Sequence, residues 1–338
     1  MNSVSLGDLA QAQFLRRSSA ASEQRLARLT EELSTGRRAD LAAASGGDYK
    51  MLSGIERSLG ILASYKTATD EAALIGTGVQ TALATVQGLS EDAGNTFVSA
   101  GTLGTGAVVD SAAATARQQL DAAVSALNAN IGDRYLFSGA ATDQKPLAGS
   151  DAILSALRTA TAGLTGASDT LTAIRDWFDA PAGGGGFRDL AYGGTDAAGG
   201  PFPIGEGEGA SFRVTAASPE IRRAIEGLAL GALVAEGMLA GDTTGRAQVL
   251  RHAGETLLST GTKLSELRGQ VGSVEAAIET AATRNQAEAT ALEIARSRIV
   301  AADPYETASA LEAARGQLEL IYTMTARLSN MSLLEYLR

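Results

Sequence analysis

The residues able to do chemistry in this chain are few and poorly placed for it. His252 is the single histidine among 338 residues, in the stretch GRAQVLRHAGE, and there is no cysteine. Thiolate and His/Cys zinc sites are therefore excluded, and a carboxylate-only site would suit calcium or magnesium instead. Arg251, beside His252, opposes a cation there. A nucleophilic triad around His252 would need a serine and a carboxylate from elsewhere, and no GxSxG elbow occurs. Two glycine-rich stretches invite a phosphate-loop reading. GGGGFRDL, from Gly183, lacks the Gly-Lys-Ser/Thr ending. GEGEGAS, from Gly205, puts Glu206 and Glu208 where a phosphate would sit. Both read as turns. The remaining carboxylates are scattered along helix faces with no marked pair and no calcium-loop spacing. The sequence nominates no catalytic, metal or cofactor-binding residue, and it reads as a protein without enzyme activity or cofactor.

The elements that would have carried such groups have a different character. Hydrophobic residues make up 45% of the chain but are dominated by alanine, and aromatics reach only 4%. Alanine favours helix and buries little area, so long helices packed closely are expected rather than a large globular core. The formal net charge of -10 disfavours nucleic acid and anionic membrane surfaces as partners. The most apolar run, GLALGALVA from Gly227, is flanked by Glu226 and Glu236. It falls far short of the roughly 20 residues a membrane span requires, so no membrane insertion is expected. The opening residues MNSVSLGDLAQAQFLRRSSA carry Asp8 where an apolar signal core would lie, so any export is expected to proceed without a cleaved signal peptide.

Both ends carry a heptad-like stripe. In the first helix, capped by Asp8 and closed by Gly36, the stripe is Leu15, Ser19, Ser22, Leu26, Leu29 and Leu33. Arg17, Glu23, Arg28, Glu31 and Glu32 occupy the other face. In the last, Leu311, Ala314, Leu318, Ile321, Thr325 and Leu328 follow the same spacing, ahead of SLLEYLR with Leu333 and Leu334. Asp303-Pro304 supplies an N-cap and first helical residue, or a kink in a longer helix. Each stripe needs a partner, and the other end is the nearest one. Further helices are expected over 48–100, 108–131 and 243–302. The glycine-rich middle should hold helices near 151–178 and 219–240, with ASFRVTA as a candidate strand. The expected fold class is mainly α: an elongated antiparallel helical bundle or coiled coil of the N- and C-terminal helices, with a small α+β domain inserted. The expected regions are 1–140, 141–242 and 243–338.

One stretch breaks the pattern, GDRYLFSG from Gly132, which sets two aromatics after a long helical run. With RLTEELSTGRR near the N-terminus and the terminal leucine stripe, it resembles the bacterial flagellin superfamily. Within that superfamily, Asn130, Gly132, Tyr135, Leu136, Phe137, Ser138 and Gly139 are similar to a segment of the hook-associated proteins of the hook–filament junction. Gly132 is expected to end the helix. Tyr135, Leu136 and Phe137 should pack on the adjoining helices, and Gly139 should turn the chain into the outer domain. Filament flagellin is the nearest alternative, and an unrelated coiled-coil scaffold a more distant one.

The resemblance implies a structural subunit of the bacterial flagellum. It implies an extracellular protein, exported unfolded by a type III route, which acts in motility. Its implied partners are copies of itself, the preceding hook-associated protein, flagellin and an export chaperone. Leu15, Leu26, Leu29, Leu33, Leu311, Leu318, Ile321, Leu328, Leu333 and Leu334 would form the assembly seam.

Overall fold

The computed structural model describes residues 6–41 and 49–336. The described residues are mostly helical, with two small antiparallel hairpins among them. Its elements in chain order are α1 (Leu6–Thr35), α2 (Lys50–Leu103), α3 (Gly106–Ala114), α4 (Ala116–Leu127), β1 (Asn130–Ile131) and β2 (Arg134–Tyr135). There follow α5 (Ser150–Ala160), α6 (Ala167–Asp179), α7 (Phe187–Leu190), β3 (Phe202–Gly205), β4 (Glu208–Ala210), α8 (Pro219–Ala235), α9 (Thr243–Val300) and α10 (Pro304–Tyr336). Two compact units form, one from Met1–Leu62 with Ala287–Arg338 and the other from Ala63–Gln286. The boundaries expected at 140 and 243 both lie inside the second unit.

In that unit one apolar core runs from Val79 to Val271 and takes side chains from α2 through α9. Its centre is α8, where every residue from Ala224 to Val234 is buried. Small residues let helices close on it. A Cβ added to Gly227 would lie 2.5 Å from Leu257 Cγ, and one added to Gly231 would lie 2.5 Å from Phe97 Cζ. The apolar run that is too short for a membrane is thus the inner helix of this core, and among the described residues no helix is long and apolar enough to cross a bilayer.

Several local expectations are corrected. α1 begins at Leu6, ahead of Asp8, so Asp8 stands within the helix and not at its cap. The helix expected over 108–131 is interrupted at Thr115 and stops at Leu127. The one expected over 151–178 is split by residues 161–166, where Gly163 adopts φ 81°. ASFRVTA is strand only at Ala210, because its partner strand begins at Phe202, directly after Pro201, which has no amide hydrogen to donate to a ladder. The hairpin turn falls at Glu206 and Gly207, within the stretch read as a turn. Arg284 clamps it to α9, its two nitrogens reaching Glu208 Oε1 at 3.1 Å and Oε2 at 2.8 Å. That pairing holds the Glu208 carboxyl below the usual range.

Candidate assembly seam

The first unit brings the two ends together. α1 and α10 pack against each other. They run antiparallel, since Gly36 faces Ala302 while Glu23, further back in α1, meets Tyr322, further on in α10. On α10, Thr307, Leu311 and Ala314 are buried, Leu318 and Ile321 are half-buried, and Thr325 is exposed. On α1, Ser22 is the most buried member of the stripe at 5% exposure. Leu15, Ser19, Leu26 and Leu29 are half-buried, and Leu33 remains 42% exposed. The side chains of Leu328, Leu333 and Leu334 lie outside the described residues. A seam that leaves Leu33 exposed and Leu15, Leu26, Leu29 and Leu318 only partly covered has apolar surface left to cover. Phe14, Leu320, Tyr322 and Met324, each more than half exposed, add to it.

One hydrogen bond between the two helices lies outside the stripe. Tyr322 Oη donates to Glu23 Oε1 at 3.0 Å, and Ser19 Oγ donates to the same oxygen at 3.1 Å. Glu23 sits on the face read as solvent-facing, and spacing alone gave no signal that it would reach across.

Where α1 ends and α10 begins, the chain forms a second link. Gly36 takes φ 67° and closes α1 by donating its amide to Glu32 O at 2.8 Å. Residues 36–38 then lie beside residues 300–302. Arg37 and Ala301 form an antiparallel bridge, with Arg38 N donating to Val300 O at 2.8 Å and Ala302 N donating to Gly36 O at 3.0 Å. Arg38 Nε adds a bond to Ala301 O at 3.1 Å. On the far side Asp303 caps α10, its Oδ1 accepting from Tyr305 N at 2.8 Å and Glu306 N at 3.1 Å. The Asp303-Pro304 pair therefore starts a new helix rather than kinking α9.

The aromatic cluster is in the second unit. α4 ends at Leu127, not at Gly132. The Asn128 side chain takes the place of a strand neighbour, with Oδ1 accepting from Leu147 N at 2.8 Å and Nδ2 donating to Leu147 O at 3.1 Å. Gly132 serves the hairpin instead. With Asp133 it forms a two-residue turn with φ 55° and 62°, the pair of positive angles a type I′ hairpin requires. Ile131 and Leu136 lean on α2 at Gly78, where an added Cβ would lie 2.7 and 2.9 Å from their terminal methyls. Tyr135 is half-buried, and Phe137 is fully buried in the core. Gly139, at φ 67°, admits no side chain, for a Cβ there would sit 2.1 Å from Thr195 O. The Phe137 carbonyl accepts from Ala216 N at 2.9 Å, tying the segment to the entry of α8.

The groups weighed for chemistry are accounted for. His252 lies on α9 with Arg175 Nη2 3.4 Å from its Nε2, a cationic neighbour. The glycine loop does form an anion cradle, but the chain fills it. Gly183 N and Gly185 N donate to the two oxygens of Asp189 at 2.8 and 2.6 Å, and these amides, Gly183 first, hold that carboxyl below its ordinary range. Among the described residues no cluster of three or more histidine or carboxylate groups is placed to hold a metal.

Residues 256–337 match the family model described as the bacterial flagellin C-terminal helical region. The matched stretch, about a quarter of the chain, takes in most of α9 and the whole of α10. It contains Leu311, Leu318, Ile321, Leu328, Leu333 and Leu334, whereas the α1 stripe and the aromatic segment lie outside it. No curated protein matches the chain. The match supports the bacterial flagellin superfamily, and with it a flagellar structural subunit that self-associates.

Proposed function

We propose that this chain is a subunit of the hook–filament junction, most like hook-associated protein 3, exported unfolded and completed on assembly through its terminal helices. The observation that carries the junction reading is the Asn130-to-Gly139 segment, whose sequence resembles that of junction proteins. Its hairpin, buried Phe137 and obligatory Gly139 supply a physical reason for each of those residue types. The assembly reading is carried by the half-covered stripe on α1 and α10. In it Leu15, Leu26, Leu29, Leu33, Leu311, Leu318 and Ile321, continued by Leu328, Leu333 and Leu334, meet neighbouring subunits. Those neighbours are further copies, the preceding hook-associated protein and flagellin, and an export chaperone covers the stripe beforehand. Tyr135, Leu136, Phe137 and Gly139 fix the departure of the chain into its outward-facing part.

The match over 256–337 fits a filament flagellin equally well, and deletion of the gene separates the two. Loss of a junction protein leaves hooks bare and flagellin shed into the medium, as seen by electron microscopy and by blotting the supernatant. Shortened or partly formed filaments on intact hooks would assign the chain to the filament instead.

A further inference from the structure

We infer that the bridge between residues 36–38 and 300–302 is a latch that makes α1 and α10 order and open together as one body. The inference stands on the geometry of the first unit and does not depend on where the protein is assembled. The bridge joins segments 263 residues apart in sequence, with two backbone bonds and one guanidinium bond. Among the described residues, it is the place where the backbone that leaves α1 is hydrogen-bonded to the backbone that enters α10. It occurs where both helices begin their shared stripe. Along α10, burial is greatest beside it and declines outward, from Thr307, Leu311 and Ala314 to half-buried Leu318 and Ile321 and then exposed Thr325, whereas on α1 Leu33 beside the bridge is 42% exposed and Ser22, farther out, is the most buried.

On α10, then, the best-covered turns are those next to the latch. Bringing distant segments together costs loop-closure entropy once. After the latch has met that cost, each further turn of α1 against α10 adds burial without a new closure. Without it, two helices with narrow and partly wet stripes must find each other unaided, and most helical stability in proteins comes from packing such a face. The Asp303 cap and the left-handed Gly36 both act at the latch, setting the chain directions in which the two strands of the bridge lie side by side.

The chain has no cysteine, so a cross-link can be placed at one point without competitors. Arg37 and Ala301 face each other as the pair between the two backbone bonds. Such pairs have Cα atoms about 4.5 Å apart, within reach of a disulfide. The test is amide hydrogen exchange of the full-length Arg37→Cys/Ala301→Cys protein, oxidised and reduced, alongside Arg38→Pro. The proline deletes one backbone donor and the guanidinium, and Arg37, already extended in the bridge, accommodates a following proline. Oxidation is expected to slow exchange in α1 and α10 by similar factors, about fivefold or more, the factor one modest hydrogen bond supplies. Arg38→Pro is expected to quicken both helices together where they are protected, with the core amides of α8 unchanged. The cross-linked arm reads out even where both helices of the parent protein exchange as open chain. Protection of one helix alone, of neither, or failure of the disulfide to form under mild oxidation would overturn the latch.

Discussion

Asp189 illustrates how a single side chain can settle what a loop is for. Four consecutive glycines leave backbone amides free to converge on an anion, and the carboxylate six residues beyond Gly183 takes that place itself. Because the amides favour the charged form, the folded-state pKa lies below the unfolded one. The unfolded chain therefore binds more protons in the window between them, and stability rises with pH through it. The contribution is complete above the ordinary aspartate value of about 4 and is lost as pH falls through the depressed value. Asp189→Ala should thus melt at a lower temperature than the parent at pH 7, with the gap narrowing as the pH drops below about 4. Circular-dichroism melts across pH 2 to 7 would check it, and a gap independent of pH would contradict the charge-based account. At this scale the sequence was partly legible. Tyr135 and Phe137 stood out because aromatics are scarce, and Phe137 is indeed fully buried. The role of Gly132 was not legible, since a glycine after a helical run suits a cap and a hairpin turn alike. The difference lay in Asn128, whose amide ends α4 by pairing with Leu147 nineteen residues on.

Between elements, glycine governs how closely the helices approach. A Cβ on Gly254 of α9 would meet Gly94 O and Val98 N of α2 at 2.7 Å, and one on Gly101 of α2 would meet Ala247 O at 2.6 Å. In an isolated helix, Gly→Ala gains about 1 kcal/mol. Here the added methyl strikes backbone on the facing helix, which cannot rotate away, and such overpacking costs about 1–3 kcal/mol. Gly254→Ala should therefore shift the urea midpoint of the second unit downward with an unchanged slope, and a midpoint that rises would show that propensity prevails. Beside these contacts a polar ladder adds register. Arg268 donates to Gln80 Oε1 at 3.2 Å and Gln87 Oε1 at 2.9 Å, and Gln80 Nε2 donates to Arg268 O at 2.9 Å. The existence of the long helices was legible from alanine content and spacing. Their partners were not, because alanine and glycine stripes carry no mark of which other stripe they meet. The breaks at Thr115 and at residues 161–166 were hidden for the same reason.

For the molecule as a whole, the mainly helical class and the pairing of its two ends were legible, because each end carried a stripe with nothing else to cover it. The grouping of residues into units was not. The middle of the chain shares its core with α2 and α9, and such sharing depends on contacts that no local pattern encodes. The division into units predicts how damage is confined. Leu318 belongs to the first unit, and an aspartate in its place puts a charge where an apolar side chain is partly buried. Leu318→Asp should leave the melting of the second unit unchanged while abolishing incorporation into the flagellum, scored by sedimentation of sheared appendages. Normal incorporation would remove α10 from the assembly seam.

The placement of α8 bears on when this protein can finish folding. Its walls are α3, α4, α5 and α6, made earlier by the ribosome, together with Phe97 of α2 and Leu257 of α9. The last of these emerges after α8 itself. Until α9 is translated, a nascent chain holds a Gly/Ala/Leu helix with one side bare. The interior thus cannot close until the first half of α9 has been made.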